Sequence, residues 1–74
     1  MNEKIKDIIY RLCPNIDNIY DDVNLYEFGL DSLMLLKVVI EIENLFSIHI
    51  EDEEIVDIRT INDISEILSR KKSR

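Results

Sequence analysis

Tryptophan is absent from this 74-residue chain, and cysteine, proline and glycine occur once each. A lone Cys13 cannot close an internal disulfide, and it lacks the second thiolate that a compact zinc or redox pair requires. A reducing compartment is the expected setting. No stretch reaches the roughly 18 apolar residues of a membrane span. The opening Met1-Asn2-Glu3-Lys4-Ile5-Lys6 has neither a long apolar run nor a small-residue cleavage site, so no membrane insertion and a cytoplasmic location are expected. Basic residues are scarce: Lys and Arg number 9 against 16 Asp and Glu, a formal net charge of −7. A duplex-binding module displaces counterions with lysines and arginines, and a surface this acidic is repelled by phosphates, which argues against nucleic-acid binding.

What is present defines a small globule. Hydrophobic residues make up 46% and charged residues 34% of the chain, too apolar for disorder and too charged for a membrane protein. The length predicts one domain over residues 1–74. A chain this short buries only about 60% of its unfolded surface, so the core is a single thin cluster with no room for a deep, enclosed active site. Charge is unevenly spread. Residues 15–63 hold 13 acids against two bases, Lys37 and Arg59, a net of −11. The flanks carry seven bases against three acids, with Lys4, Lys6 and Arg11 in front and Arg70, Lys71, Lys72 and Arg74 behind. The middle should steer partners with basic surfaces.

The hydrophobic period predicts helices. Ile5, Ile8, Ile9 and Leu12 fall at i, i+3, i+4 and i+7, with Asn2 as the expected N-cap and Pro14 ending the element. From Asn15 to Leu30 no helical period survives. Turn formers (Asn18, Asp21, Asp22, Asn24, Gly29) alternate there with Ile16, Ile19, Val23, Leu25, Phe28 and Leu30, which implies a long connection pinned to the core. Asp31 is positioned to cap a second helix over Ser32–Phe46, with Leu35, Val38, Val39, Ile42 and Phe46 as its core stripe. Leu33, Met34, Leu36 and Ile40 lie partly off that stripe, so some apolar surface must face water or a partner. Glu51–Ile55 reads as a short acidic helical turn. Thr60 and Asp63 form a capping box for a last helix presenting Ile61, Ile64, Ile67 and Leu68, whose C-terminal dipole favours the cations at Arg70, Lys71 and Lys72. The expected fold is all-α: a four-helix bundle of three longer helices and one short one, with a long first loop.

No catalytic constellation emerges. His49 reads as a polar loop residue and Cys13 as an apolar filler closing the first helix. Asp17, Asp21, Asp22 and Asn24 invite a calcium loop, but Tyr26 and Glu27 stand where that loop needs an oxygen ligand and a glycine. Glu51–Glu54 is most simply a solvated acidic face. Ser32 remains, following Glu27-Phe28-Gly29-Leu30-Asp31 and opening the most apolar helix. A phosphate on its hydroxyl would sit beside the free N–H groups of a helix N-terminus.

Leu25 and Phe28-Gly29-Leu30-Asp31-Ser32-Leu33, with the helix running through Glu41 and Glu43 to Phe46 and the stretch Ser47-Ile48-His49-Ile50-Glu51-Asp52-Glu53, resemble the phosphopantetheine attachment region of acyl and peptidyl carrier proteins. Length, acidity, helix order and the long first loop match as well. The resemblance implies a non-catalytic shuttle. Ser32, flanked by the motif residue Asp31, would carry a 4′-phosphopantetheine arm installed from coenzyme A by a separate phosphopantetheinyl transferase. The arm's thiol would hold acyl or aminoacyl groups as thioesters, without any need for perturbed catalytic side chains.

By the same resemblance, loading and condensing enzymes with basic docking surfaces would meet a monomer on Leu33, Met34, Lys37, Ile40, Glu41 and Asn44, joined by Glu51, Asp52, Glu53 and Glu54. Fatty-acid-synthesis carriers usually bear acids where this chain has Met34 and Lys37, and commonly another at Asn44. The Gly-Gly-Asp-Ser pattern common in peptidyl carriers is also missing. Of fatty acid, polyketide and nonribosomal peptide biosynthesis, the missing acids tilt the expectation slightly toward a specialised pathway, while the missing Gly-Gly-Asp-Ser pattern counts against the peptidyl class. The contrasting reading is a helical interaction module in which Ser32 merely begins a helix and no cofactor is attached.

Overall fold

The computed structural model describes residues 1–72, with no side-chain description at Lys72. Arg74 and the side chain of Lys72, two of the expected basic residues, lie outside the described part. Four α-helices follow one another: α1 (Asn2–Leu12), α2 (Ser32–Phe46), α3 (Asp52–Ile55) and α4 (Ile61–Lys72), with no strand among the described residues. The expected all-α bundle of three longer helices and one short one is what forms. A 3₁₀ turn over Leu25–Phe28 interrupts the first connection, which carries no helical period in its sequence.

The helices converge on an aliphatic core. Ile5, Ile8 and Ile9 of α1, Leu35, Val38, Val39 and Ile42 of α2, and Ile61, Ile64, Ile67 and Leu68 of α4 are buried together with Ile50 and Ile58 from the segments around α3. Among the described residues no polar or charged side chain is fully buried. The core proper is therefore assembled from apolar side chains, with the polar groups at its margin. Phe46, expected in the core stripe, packs against its edge.

The long connection is held tightly. Ile19, Leu25 and Leu30 are inserted into the core, and Ile16 and Phe28 pack against it. Backbone hydrogen bonds strap it to the start of α4 and the residues before it: Leu25 N donates to Arg59 O at 2.7 Å and Asn62 N to Asp21 O at 3.0 Å. The phenol of Tyr10 accepts from Ile19 N at 3.1 Å.

Asn2 is not the N-cap of α1. Met1 takes that position without a side-chain cap, and Asn2 is the first helical residue. Its amide instead donates to Asp21 Oδ2 at 2.9 Å and to Asn62 Oδ1 at 3.3 Å, while its carbonyl accepts from the Ser65 hydroxyl. These long-range bonds tie α1, the connection and α4 together, and they outcompete a local cap. Lys6 Nζ lies 2.9 Å from Asp21 Oδ1 in the same cluster. The Thr60–Asp63 capping box forms as expected, with Thr60 N donating to Asp63 Oδ2 at 3.0 Å and Asp63 N to Thr60 Oγ1 at 3.1 Å.

The Asn2 hydrogen bond, and then the Lys6 ammonium, hold the Asp21 carboxyl below the ordinary aspartate range. A carboxyl depressed in the folded state stabilises the fold above its unfolded pKa, and that contribution is lost as pH falls through the folded value. Urea midpoints should therefore drop as pH is lowered from about 4, the ordinary carboxylate range, toward about 2. Asp21→Asn should lower the midpoint near neutrality and flatten the acid limb. An acid limb of unchanged steepness in the variant would show that Asp21 contributes nothing to it.

Candidate functional site

The entrance to α2 is built by two consecutive caps. Asn24 Oδ1 accepts from Tyr26 N at 2.9 Å and opens the 3₁₀ turn. Gly29 closes it in the left-handed region, at φ 107° and ψ 2°. Only glycine reaches that conformation without penalty. A Cβ built there meets nothing within 4 Å, so the requirement is one of backbone conformation and not of space. Leu30 then plunges into the core, and Asp31 caps α2 as expected, its Oδ1 accepting from Met34 N at 2.8 Å.

Ser32 is thereby fixed as the first residue of a 15-residue helix and is exposed. The N–H groups of Ser32 and Leu33 lie where a helix offers no internal acceptor, and the aligned peptide dipoles place partial positive charge there. A phosphoryl group on Ser32 Oγ fits this position. It meets open solvent and free donors, without a neighbouring side chain bonded to the hydroxyl among the described residues.

The other expected site residues separate into exposed and committed groups. Leu33, Lys37, Ile40 and Asn44 line the solvent face of α2, and Glu51, Asp52 and Glu53 are exposed at the start of α3. Met34 turns toward α1, half-buried, where it lines a cleft of about 410 Å³ with Leu12, Cys13, Pro14, Ile16 and Phe28. Glu41 is half-buried and paired with Arg11 at 2.8 Å. Glu54 is also half-buried. It accepts from Glu51 N at 2.9 Å and meets Lys71 Nζ at 2.9 Å and an Arg70 nitrogen at 3.4 Å, so its charge serves the fold. The Glu51 N–H and then Lys71 keep its carboxyl below the ordinary glutamate range.

Leu36, expected partly off the core stripe but not among the docking residues, is exposed, and Val56 is a further exposed apolar residue at the end of α3. Leu36 stands three residues beyond Leu33 and four before Ile40, a spacing that would have placed it with them. His49 is a loop residue beside Glu43 and Glu51, at 3.2 and 3.4 Å, and Cys13 is buried, its thiol pushed up by desolvation and then by the nearby charge of Asp31. No three His, Cys, Asp or Glu side chains converge to hold a metal among the described residues.

Comparison with known proteins agrees with this arrangement. Residues 3–68 match the phosphopantetheine attachment site family, so the chain belongs to it, and 4′-phosphopantetheine is the cofactor of that site. An acyl carrier protein homolog of Mycoplasmopsis pulmonis is 42% identical over 45 residues, which cover 61% of this chain and 62% of that protein. The match thus spans about three fifths of the relative's length. Two solved structures superpose over nearly all of the fold at 28% identity. A chain named as an acyl carrier protein from Mycobacterium tuberculosis gives a TM-score of 0.84, with 92% of this chain and 93% of that one covered. The acyl carrier protein of Thermotoga maritima gives 0.85, covering 96% and 85%.

Asp31→Ala should destabilise the fold by about 1 kcal/mol through loss of the cap, whereas Asp31→Asn, which retains the acceptor, should cost only a fraction of that. Gly29→Ala should cost a further ~1 kcal/mol for the forced positive φ. Chemical unfolding of the three variants checks the order, and an Asp31→Ala protein as stable as wild type would mean that the cap does not anchor α2.

Proposed function

We propose that this chain, as a single domain over residues 1–74, is a carrier protein whose Ser32 Oγ bears the 4′-phosphopantetheine arm. The observation that carries the reading is the exposed, capped Ser32 at the mouth of α2, inside the stretch matching the attachment-site family. When bound, the group supplies a thiol on a flexible tether, which holds acyl or aminoacyl units as thioesters. The protein's part is mechanical and electrostatic. Asp31 fixes the start of the helix, Ser32 provides the anchoring oxygen, and the helix end receives the phosphoryl charge.

A shuttle of this kind must meet several enzymes and leave each quickly, which calls for a small interface and charge steering. A phosphopantetheinyl transferase would install the arm, and loading and condensing enzymes would exchange the cargo. No helix among the described residues is long and apolar enough to cross a membrane. The free, buried Cys13 fits a reducing, cytoplasmic setting. Met34, Lys37 and Asn44 stand where fatty-acid-synthesis carriers usually bear acids, which favours a specialised pathway of polyketide or peptide type.

Incubation with coenzyme A and a broad-specificity phosphopantetheinyl transferase should raise the intact mass by one phosphopantetheinyl group, and Ser32→Ala should abolish the gain. A wild-type chain left unmodified while a control carrier is fully converted would overturn the carrier reading and favour a cofactor-free helical interaction module.

A further inference from the structure

The net charge of the middle of the chain conceals a local inversion on α2. Leu33, Leu36 and Ile40 are 63%, 43% and 46% exposed and form one strip along the helix, with Lys37 and Asn44 exposed beside them. The helix contains two carboxylates, and both are engaged away from this strip. Glu41 pairs with Arg11 at 2.8 Å. Glu43 accepts from Ile50 N at 2.9 Å and faces His49 Nδ1 at 3.2 Å. Lys37 has Glu41 at i+4, the position at which an acid ordinarily joins a lysine on a helix. Arg11, reaching across from α1, has taken that partner. The planar guanidinium is the better match for a carboxylate, which explains why the ammonium is the cation left out.

The outcome is an apolar strip whose own charge is +1, while the uncommitted acids lie off it. Asp52 and Glu53 stand on α3, and Glu27 stands before the helix, where Asp31 is engaged as the cap. We propose that this strip docks an enzyme surface consisting of an apolar recess bordered by a carboxylate that receives Lys37, and that Lys37 disfavours surfaces presenting an arginine at that point. This rests on the carrier reading and names the partner chemistry of the same site. The charge of a docking face selects partners through complementarity and through the penalty for opposing like charges, so one lysine among apolar residues can set the preference. Arg11 acts as a positioning residue, since its hold on Glu41 keeps Lys37 unneutralised.

The test uses the phosphopantetheinylated full-length chain and a defined probe, a fatty-acid-synthesis ketosynthase with an arginine-lined docking surface, alongside its variant in which the arginine facing the middle of the carrier helix is changed to glutamate. Wild-type carrier should bind the glutamate variant about three- to tenfold more tightly than the parent enzyme, and Lys37→Glu should reverse that order. Lys4→Glu, an equal change in net charge at an exposed site on α1, should leave the order as in wild type. Arg11→Ala should narrow the wild-type preference, because Glu41 becomes available to Lys37. Circular dichroism and urea midpoints of each variant confirm the fold. Equal binding of both enzymes by wild type, or an equal response to Lys37→Glu and Lys4→Glu, would overturn the inference. Either result would leave the carrier reading standing, because the mass gain at Ser32 is measured beforehand on the same protein.

Discussion

The strapping of the first connection to the segment that opens α4 is the constraint on which the rest depends. Leu25 N and Asp21 O bond to the backbone at Arg59 and Asn62, and Ile19, Leu25 and Leu30 enter the core between them. Ordering so long a connection is opposed by conformational entropy at every residue, and only burial and hydrogen bonding on this scale offset it. Once those anchors hold, the left-handed Gly29 and the Asp31 cap follow in a fixed frame, and the direction in which α2 leaves the connection is set. The position of Ser32 is therefore a property of the whole fold, although the residue touches little of it.

The polar interactions divide the same way. Charges near the surface are worth little singly, and the ones that matter here join elements distant in sequence. Asn2, Lys6 and Asp21 close the N-terminal end of the bundle, while Glu54, Lys71 and Arg70 fasten α3 to the end of α4. The short α3 buries no residue of its own. These ion pairs, with the packing of Ile55 against the core, keep it in place. An acidic stretch that looks wholly available in the sequence is thus partly consumed by the protein itself.

Local rules made much of this readable. The isoleucine spacing of α1 and α4, the Asp31 cap and the Thr60–Asp63 box all depend on residues within four positions of one another, and each stands where the sequence places it. The failures share a cause. Asn2 satisfies every local criterion for a cap, but its partners lie 19 and 60 residues away. Glu41 is claimed by a residue 30 positions earlier, and Glu54 by one 16 positions later. Met34 shares the apolar character of Leu33 yet turns to the other side of the helix, because the end of α1 and the Pro14–Ile16 segment offer it a groove. The start of α2 at Ser32, the proposed attachment point, was legible because a glycine and a cap in succession precede an apolar helix, whereas the charge of the surface around it is a tertiary fact.

Burial of Cys13 has a chemical consequence for a protein proposed to carry a working thiol elsewhere. The residue is buried at the junction of α1 and the connection, and desolvation pushes its thiol up. Nucleophilic attack and disulfide exchange need the thiolate and access to it. On the carrier reading, an electrophile or an activated acyl donor therefore meets at Cys13 a weaker rival to the thiol of the arm, and acyl cargo is less readily lost to the polypeptide's own sulfur.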